Sequence, residues 1–171
     1  MLSILLWIMT LLGSPSGPPK RGATVYVFLA DTCPISQRAA VTLRALYAQY
    51  AAQGVSFVGV FPAPATTVAD LATFAKSYQL SFPLQPDPGQ RLTRKLHAHV
   101  TPEAVLLGPD GRTICYQGRL DDAFASLGRP RAVVQHHELA DALAAVVAGQ
   151  LVAVPQTEPV GCFIEALIGT D

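Results

Sequence analysis

Hydrophobic positions change their period several times along the chain. Residues 23–30 (ATVYVFLA) form an unbroken β-branched and aromatic run, which predicts a buried strand. From Pro34 the period lengthens: Ile35, Ala39, Leu43, Leu46 and Tyr50 recur at helical spacing, with Gly54 where a C-cap glycine would stand. Pro34 suits the first turn of that helix, since its missing N–H costs nothing there. Residues 55–61 (VSFVGVF) predict a second buried strand, and Val68, Leu71, Ala75 and Tyr78 mark a second helix. Phe82-Pro83-Leu84 reads as a short edge strand, where proline is tolerated, and residues 89–97 as a short helix. Residues 104–107 and 113–117 flank Pro109-Asp110-Gly111-Arg112, the signature of an antiparallel hairpin. Leu139, Ala142, Leu143 and Val146 predict a last helix ending at Gly149. The order β-α-β-α-(β)-α-β-β-α predicts an α/β domain: a mostly parallel sheet, helices on both faces and an antiparallel hairpin at its end.

The pattern breaks at the N-terminus. Residues 1–12 (MLSILLWIMTLL) are almost wholly apolar and run into Gly13-Ser14-Pro15-Ser16-Gly17. At 1.5 Å per residue this run is too short to cross a hydrocarbon core of about 30 Å, but it has the length of a signal-peptide h-region. Residues 1–19 are therefore expected to be an export signal or a weak membrane anchor, giving a periplasmic or secreted protein; a buried core helix is the plainer alternative. No Lys or Arg precedes the apolar run, and no A-x-A site follows it. Of the 171 residues, 50% are hydrophobic and 14% charged, and 12 Lys+Arg balance 12 Asp+Glu. That length is one domain's worth, and the balanced charge argues against nucleic acid as a partner. No internal repeat, phosphate-binding glycine loop, dinucleotide fingerprint or Ser/His/Asp triad is found.

Candidate chemistry enters at Asp31-Thr32-Cys33-Pro34-Ile35-Ser36, where the first strand gives way to its helix. Unpaired backbone N–H groups and the helix dipole favour an anion at that point, so a thiolate on Cys33 is stabilised and its pKa depressed. Cys33 is thus a candidate nucleophile by position alone.

The strand–Asp-Thr-Cys-Pro–helix junction, Val100-Thr101-Pro102-Glu103 entering a strand, and the Gly108-Pro109-Asp110-Gly111 hairpin together resemble the thioredoxin fold. Within it they look like the redoxin branch that groups TlpA/ResA-like exported proteins with the alkyl hydroperoxide reductase/thiol-specific antioxidant group. Gly118-Arg119-Leu120-Asp121-Asp122 and the terminal Gly161-Cys162-Phe163-Ile164 add to this likeness with a bacterial subgroup of redoxins. The resemblance implies a three-layer α/β/α sandwich with a mixed central sheet over residues 22–150, followed by a tail of residues 151–171. It also implies that Thr101-Pro102 is the cis-proline loop facing the active cysteine. The implied activity is thiol-based, on protein thiols or disulfides or on a small peroxide, with an envelope electron-transfer protein or metalloprotein as a further partner. It implies no cofactor.

The chain departs from the family's pattern. Ser36 replaces the second cysteine of Cys-x-x-Cys, which excludes disulfide cycling within the motif. Ala30 stands three residues before Cys33, where peroxiredoxins carry Thr or Ser. The strands that usually precede the first core strand find little room before Ala23. A remote partner is available, because Cys162 lies in a stretch with two prolines (VPQTEPVGCFI) that should keep it extended. The 13 residues from Gly149 to Cys162 span about 40 Å when extended, enough to recross the domain. A Cys33–Cys162 disulfide is open to two readings, structural staple or redox couple. Cys115, within the hairpin, is expected to be a buried free thiol.

The remaining polar residues admit weaker readings. His97 and His99 precede the Thr-Pro loop, so either could approach Cys33, and Cys plus His would suit copper(I) or zinc. The Cys-x-x-x-Cys motif of the copper-binding Sco proteins on this fold is missing, and a solvated His-x-His is the plainer reading, so no metal site is expected. His136 and His137 are placed in the first turn of the last helix, on the surface. Arg119 could help hold a thiolate, or pair with Asp121 or Asp122. Asp31 and Glu103 could tune thiol acidity or relay protons, or be solvated loop carboxylates; Thr32, Pro34 and Ser36 complete the candidate site. Three functions follow: an envelope thiol oxidoreductase with Cys33 attacking and Cys162 resolving, a copper-handling protein, or a redox-silent binding module, since fold alone does not imply activity.

Overall fold

The computed structural model describes residues 22–167; the expected signal or anchor of residues 1–19 lies outside them. β1 (Thr24–Phe28) leads into α1 (Pro34–Tyr50), then β2 (Ser56–Phe61), α2 (Val68–Tyr78), β3 (Leu84–Pro86) and α3 (Arg91–Lys95). Next come β4 (Val100–Thr101), β5 (Glu103–Leu107) and β6 (Ile114–Gly118), a small hairpin of β7 (Phe124–Ser126) and β8 (Arg129–Pro130), α4 (Glu138–Val147) and β9 (Cys162–Phe163). The five-stranded sheet runs β3-β2-β1-β5-β6. β1, β2 and β3 are parallel, whereas β5 and β6 run antiparallel, with Phe28 opposite Glu103 and Ala104 opposite Gly118. This mixed sheet with its covering helices is the thioredoxin-like α/β fold.

Alternation along the strands divides the core into two. Val25, Val27, Phe57, Phe61, Ala104 and Leu106 face the side covered by α1, α2 and α4, whose Leu43, Leu46, Phe74, Leu139 and Leu143 complete the larger cluster. Phe28, Val60, Val105 and Leu107 face the other side, where Leu96, Ala98 and the half-buried Leu92 and Ile164 cover them. The second helical layer is thin, since α3 has only five residues. A period of two along each strand makes both faces apolar, so both must be covered.

Local signals set the element ends. Cys33 is the N-cap of α1 with Pro34 at its first position, as the sequence predicts. The α-helix stops at Tyr50 rather than running to Gly54: a 3-10 turn over Ala51–Gln53 follows, and Gly54 ends it in the left-handed region at φ 86°. Thr67 and Asp70 form a reciprocal capping box on α2. His136 and His137 precede α4 instead of lying in its first turn, because helical geometry begins only at Glu138.

The segment after α4 is extended, as its prolines imply, and it is tied to the sheet. Gln117 N–H donates to the Pro155 carbonyl at 2.9 Å, and Thr157 N–H donates to the Gln117 carbonyl at 3.0 Å. The Tyr116 hydroxyl lies 2.6 Å from Thr157 Oγ1 and donates to the Arg119 carbonyl at 2.6 Å. β9 then pairs antiparallel with β4.

Because Phe57 is 2% exposed and packs edge-on against Tyr47, Phe57→Ala should lower the unfolding free energy by about 3–5 kcal/mol. Val41→Ala, at a position 61% exposed, should change it by less than about 0.5 kcal/mol. Urea denaturation of the two variants checks both.

Candidate functional site

The turn that presents Cys33 is cross-tied. Cys33 N–H donates to the Ala30 carbonyl at 3.2 Å, and Gln37 N–H donates to the Cys33 carbonyl at 3.0 Å. The Gln37 side-chain amide donates to the Asp31 carbonyl at 2.7 Å. Ser36 is fully buried, and its hydroxyl oxygen accepts the Ala30 N–H at 3.2 Å. The Ser36 hydroxyl and backbone N–H in turn lower the Cys33 pKa by hydrogen bonding to its sulfur. Ser36 therefore serves as a donor where Cys-x-x-Cys proteins keep their second thiol.

The facing wall is built from a buried carboxylate outward. Glu103, 2% exposed, accepts the backbone N–H of His99 at 2.8 Å and of Val100 at 3.3 Å on one oxygen, and the Gln117 side-chain amide at 2.7 Å on the other. The same amide donates to the His97 carbonyl at 3.1 Å. These bonds fasten the approach to β4, so that the Thr101 carbonyl accepts from the Cys33 thiol at 3.3 Å. The Thr101–Pro102 peptide is cis.

β9 closes the site. Cys162 stands opposite Thr101 in the ladder, and Phe163 opposite Val100. Thr101 Oγ1 donates to the Cys162 carbonyl at 3.4 Å, Ile164 N–H to the His99 carbonyl at 2.9 Å, and the Gln90 side-chain amide to the Glu165 carbonyl at 2.7 Å. Gly161 lies flat against the loop, where a Cβ would collide with the Thr101 carbonyl. The two thiols, 129 positions apart in sequence, are brought to one cavity by Thr101, which accepts from Cys33 and pairs with Cys162, and both are free. A cavity of about 300 Å³ adjoins them, lined by Thr32, Pro62, Gln90 and Thr101 among others.

The pair is electrostatically asymmetric. Burial pushes the Cys33 thiol up, but hydrogen bonds from the Cys162 thiol, from the Ser36 N–H and hydroxyl and from the Ile35 N–H outweigh it, holding Cys33 below the ordinary thiol value. Cys162 is pushed up to about 11 by burial, by the hydrogen bond it gives Cys33 and by the charge on Cys33. Of the two, Cys33 is therefore the thiol that ionises first.

Other candidate residues fall elsewhere. Thr32 and Pro34 are exposed at the rim. Asp31 borders a separate hollow with Asp70, Phe74 and Tyr78 and does not line the thiol cavity. Glu103 is neither solvated nor in contact with a sulfur; it positions the loop. Arg119 pairs with Glu138, Nη2 to Oε1 at 2.5 Å, rather than with Asp121 or Asp122. Those two carboxylates are engaged locally: Asp121 accepts the Thr42 hydroxyl at 2.8 Å, and Asp122 accepts the N–H groups of Gln135 and His136. Arg119 does line, with Ile35, Arg38, Pro102, Phe124 and Val160, an apolar groove of about 290 Å³ beside the site. Neither His97 nor His99 lines the thiol cavity, and no cluster of three metal-ligating side chains occurs among the described residues. Cys115 is half-buried rather than buried, because only one face of β6 packs inward there; burial and the Asp110 charge raise its pKa.

Gln117, Gln90 and Gly161 were not among the expected site residues. Glycine directly before a cysteine is a signal of close backbone approach, whereas nothing in strand alternation marks Gln117.

The AhpC/TSA family profile matches residues 19–116. This chain belongs to the AhpC/TSA family. The matched segment of this AhpC/TSA chain contains Cys33, Thr101 and Pro102, and Cys162 lies beyond it. Among solved structures, the chain is similar to a hypothetical protein from Sinorhizobium meliloti, with 26% identity over 88% of this chain and 82% of that one and a TM-score of 0.76. An uncharacterized conserved protein from Geobacillus kaustophilus matches at 26% identity over 88% and 80%, also with a TM-score of 0.76. A secreted Mycobacterium tuberculosis disulfide oxidoreductase homologous to E. coli DsbE shares the fold, at 20% identity over 74% of this chain and 83% of that one and a TM-score of 0.55. No curated protein matches the chain.

The Cys33 alkylation rate should rise with pH through a midpoint below that of free cysteine, and Ser36→Ala should move that midpoint to higher pH by removing a donor to the thiolate; stopped-flow alkylation across pH reads both. Glu103→Ala strips acceptors from two backbone N–H groups and should cost about 2–4 kcal/mol in urea unfolding.

Proposed function

We propose that this protein is an exported thiol–disulfide oxidoreductase in which Cys33 is the nucleophile and Cys162 the resolving thiol. The observation that carries this reading is the meeting of both thiols at one cavity by the N-terminus of α1, where Cys162 stands opposite the Thr101 whose carbonyl accepts from Cys33, with Cys33 held below and Cys162 above the ordinary thiol value. A buried structural thiol would need neither the donors around Cys33 nor a second cysteine against it.

The reaction is a pair of exchanges. The Cys33 thiolate attacks one sulfur of a substrate disulfide, forming a mixed disulfide and expelling the other substrate sulfur as a thiolate. That thiolate takes the proton of Cys162, directly or through water. The Cys162 thiolate then attacks Cys33 Sγ, forming the Cys33–Cys162 disulfide and expelling the second substrate thiolate. The substrate gains two electrons and the protein dithiol loses two. A cellular dithiol returns the protein to its reduced state by the reverse chemistry.

Protein disulfides suit this site better than a small peroxide. Ala30 lines the cavity next to Cys33, where a peroxidase of this family would offer a hydroxyl to the peroxide. The apolar residues 1–12 support export to an oxidising compartment, where a disulfide couple has a use. No helix among the described residues is long and apolar enough to cross a membrane.

Oxidation of the purified protein should give a Cys33–Cys162 disulfide that a dithiol reverses, mapped by mass spectrometry of the linked peptides. Cys162→Ser should accumulate a mixed disulfide at Cys33 with a model disulfide peptide, and Cys33→Ser should lose at least about 100-fold of the disulfide-reducing rate. A Cys33 that never pairs with Cys162 or with the peptide would retire this reading in favour of a redox-silent binding domain. Turnover of hydrogen peroxide exceeding that of the peptide would move the assignment to a peroxidase.

A further inference from the structure

β9 occupies the edge on which a substrate would have to lie. β4 is a two-residue strand outside the five-stranded sheet, and β9 is its ladder partner. With β9 seated, Cys33 is 2% exposed, so an attacking geometry on any macromolecular disulfide requires this cover to move. The fastening of β9 is local and light: the Thr101 hydroxyl, the His99 carbonyl and the Gln90 amide hold it by backbone groups that any extended peptide also carries. Upstream, Pro155 and Thr157 are tied separately to Gln117 in the sheet. Movement can therefore be confined to the segment beyond Thr157, with Glu158, Pro159, Val160 and Gly161 as the hinge.

We propose that β9 is a stand-in for substrate: an extended, cysteine-bearing segment of a partner protein displaces it from β4 by strand exchange, and its return expels the product. This inference rests on the redox reading above and deepens it by naming the substrate class and the event that releases product. The constraint is competition for one edge. Cys162 meets Cys33 because it sits opposite Thr101, whose carbonyl accepts from Cys33, in the ladder, so resolution requires β9 on β4, and a substrate strand on β4 excludes it. The exchange that forms the Cys33–Cys162 bond thereby removes the product's docking edge in the same step.

The edge also selects. At the position preceding the sulfur, a Cβ would strike the Thr101 carbonyl and approach Pro102 N, so the favoured substrate segment carries glycine before its cysteine, as this chain does in Gly161-Cys162. The following position tolerates bulk, since Phe163 is 79% exposed. The next presents an apolar side chain to the sheet, as the half-buried Ile164 does against the smaller core cluster.

The test uses the full chain and a labelled peptide of its own residues 158–165 carrying Cys162→Ser, which cannot form a disulfide. Gly161→Ala should unseat β9 and bind this peptide at least about tenfold more tightly than the unaltered protein. Ile164→Ala, which removes the apolar anchor without touching the hinge, should act in the same direction and covers the case in which Gly161→Ala fails to fold. In the unaltered protein, saturation with the peptide should speed hydrogen exchange at the Ile164 N–H at least about tenfold, because its bond to the His99 carbonyl is lost. Equal binding by the unaltered and altered proteins, or an Ile164 exchange rate that peptide leaves unchanged, would overturn strand exchange. If the Ser peptide binds as expected but its cysteine form, supplied as a disulfide, never links to Cys33, the exchange stands and the redox reading falls.

Discussion

The Glu103 carboxylate is the point from which the site is built. A buried charge persists only when donors surround it, and here those donors are the backbone N–H groups of His99 and Val100 and the side chain of Gln117. The first two fix the approach to β4, which carries Thr101 to Cys33. The third brings in the strand whose backbone holds Pro155 and Thr157. One carboxylate thus aligns both the loop that faces the nucleophile and the strand that guides the tail toward it.

Around that anchor, the division of labour between the two thiols follows from geometry. Cys33 sits at the N-terminus of a 17-residue helix, where orphan N–H groups and the Ser36 hydroxyl collect on its sulfur, and these donors favour the anion despite burial. Cys162 lies on a two-residue strand and caps no helix itself, so burial and the neighbouring Cys33 push its pKa up. In Cys-x-x-Cys proteins the second thiol is three residues along the same helix, where Ser36 stands here. Moving it onto a separate strand leaves the helix turn free for Ser36, and makes the approach of the second thiol conditional on where that strand lies.

Much of the scaffold was legible from pattern. Two of the three parallel strands, three of the four helices and the Pro109–Arg112 hairpin follow from apolar period, because burial of one face imposes that period on the residues themselves. Cys33 was legible as a candidate because strand end, proline and helix start are local signals. The likeness to redoxins pointed to Thr101 and Pro102. Partners of charged residues were less readable: Arg119 has Asp121 and Asp122 close in sequence yet pairs with Glu138, since α4 packs across β6 and brings that carboxylate nearer than the turn brings the other two. Asp31 is next but one to Cys33 yet borders the hollow beside α2 rather than the thiol cavity.

By itself, the sequence determined the α/β order, the placement of a thiol at a helix start, the lack of a second thiol within the motif and an extended tail long enough to return. Each depends on neighbours within a few residues or on chain length. Tertiary structure alone decided that Cys162 lands opposite Thr101 and that Glu103 is a buried anchor rather than a solvated carboxylate. Those outcomes depend on strand register and on packing between segments remote in sequence. A one-residue slip of β9 would place Gly161 or Phe163 opposite Thr101 and send the Cys162 side chain to the other face.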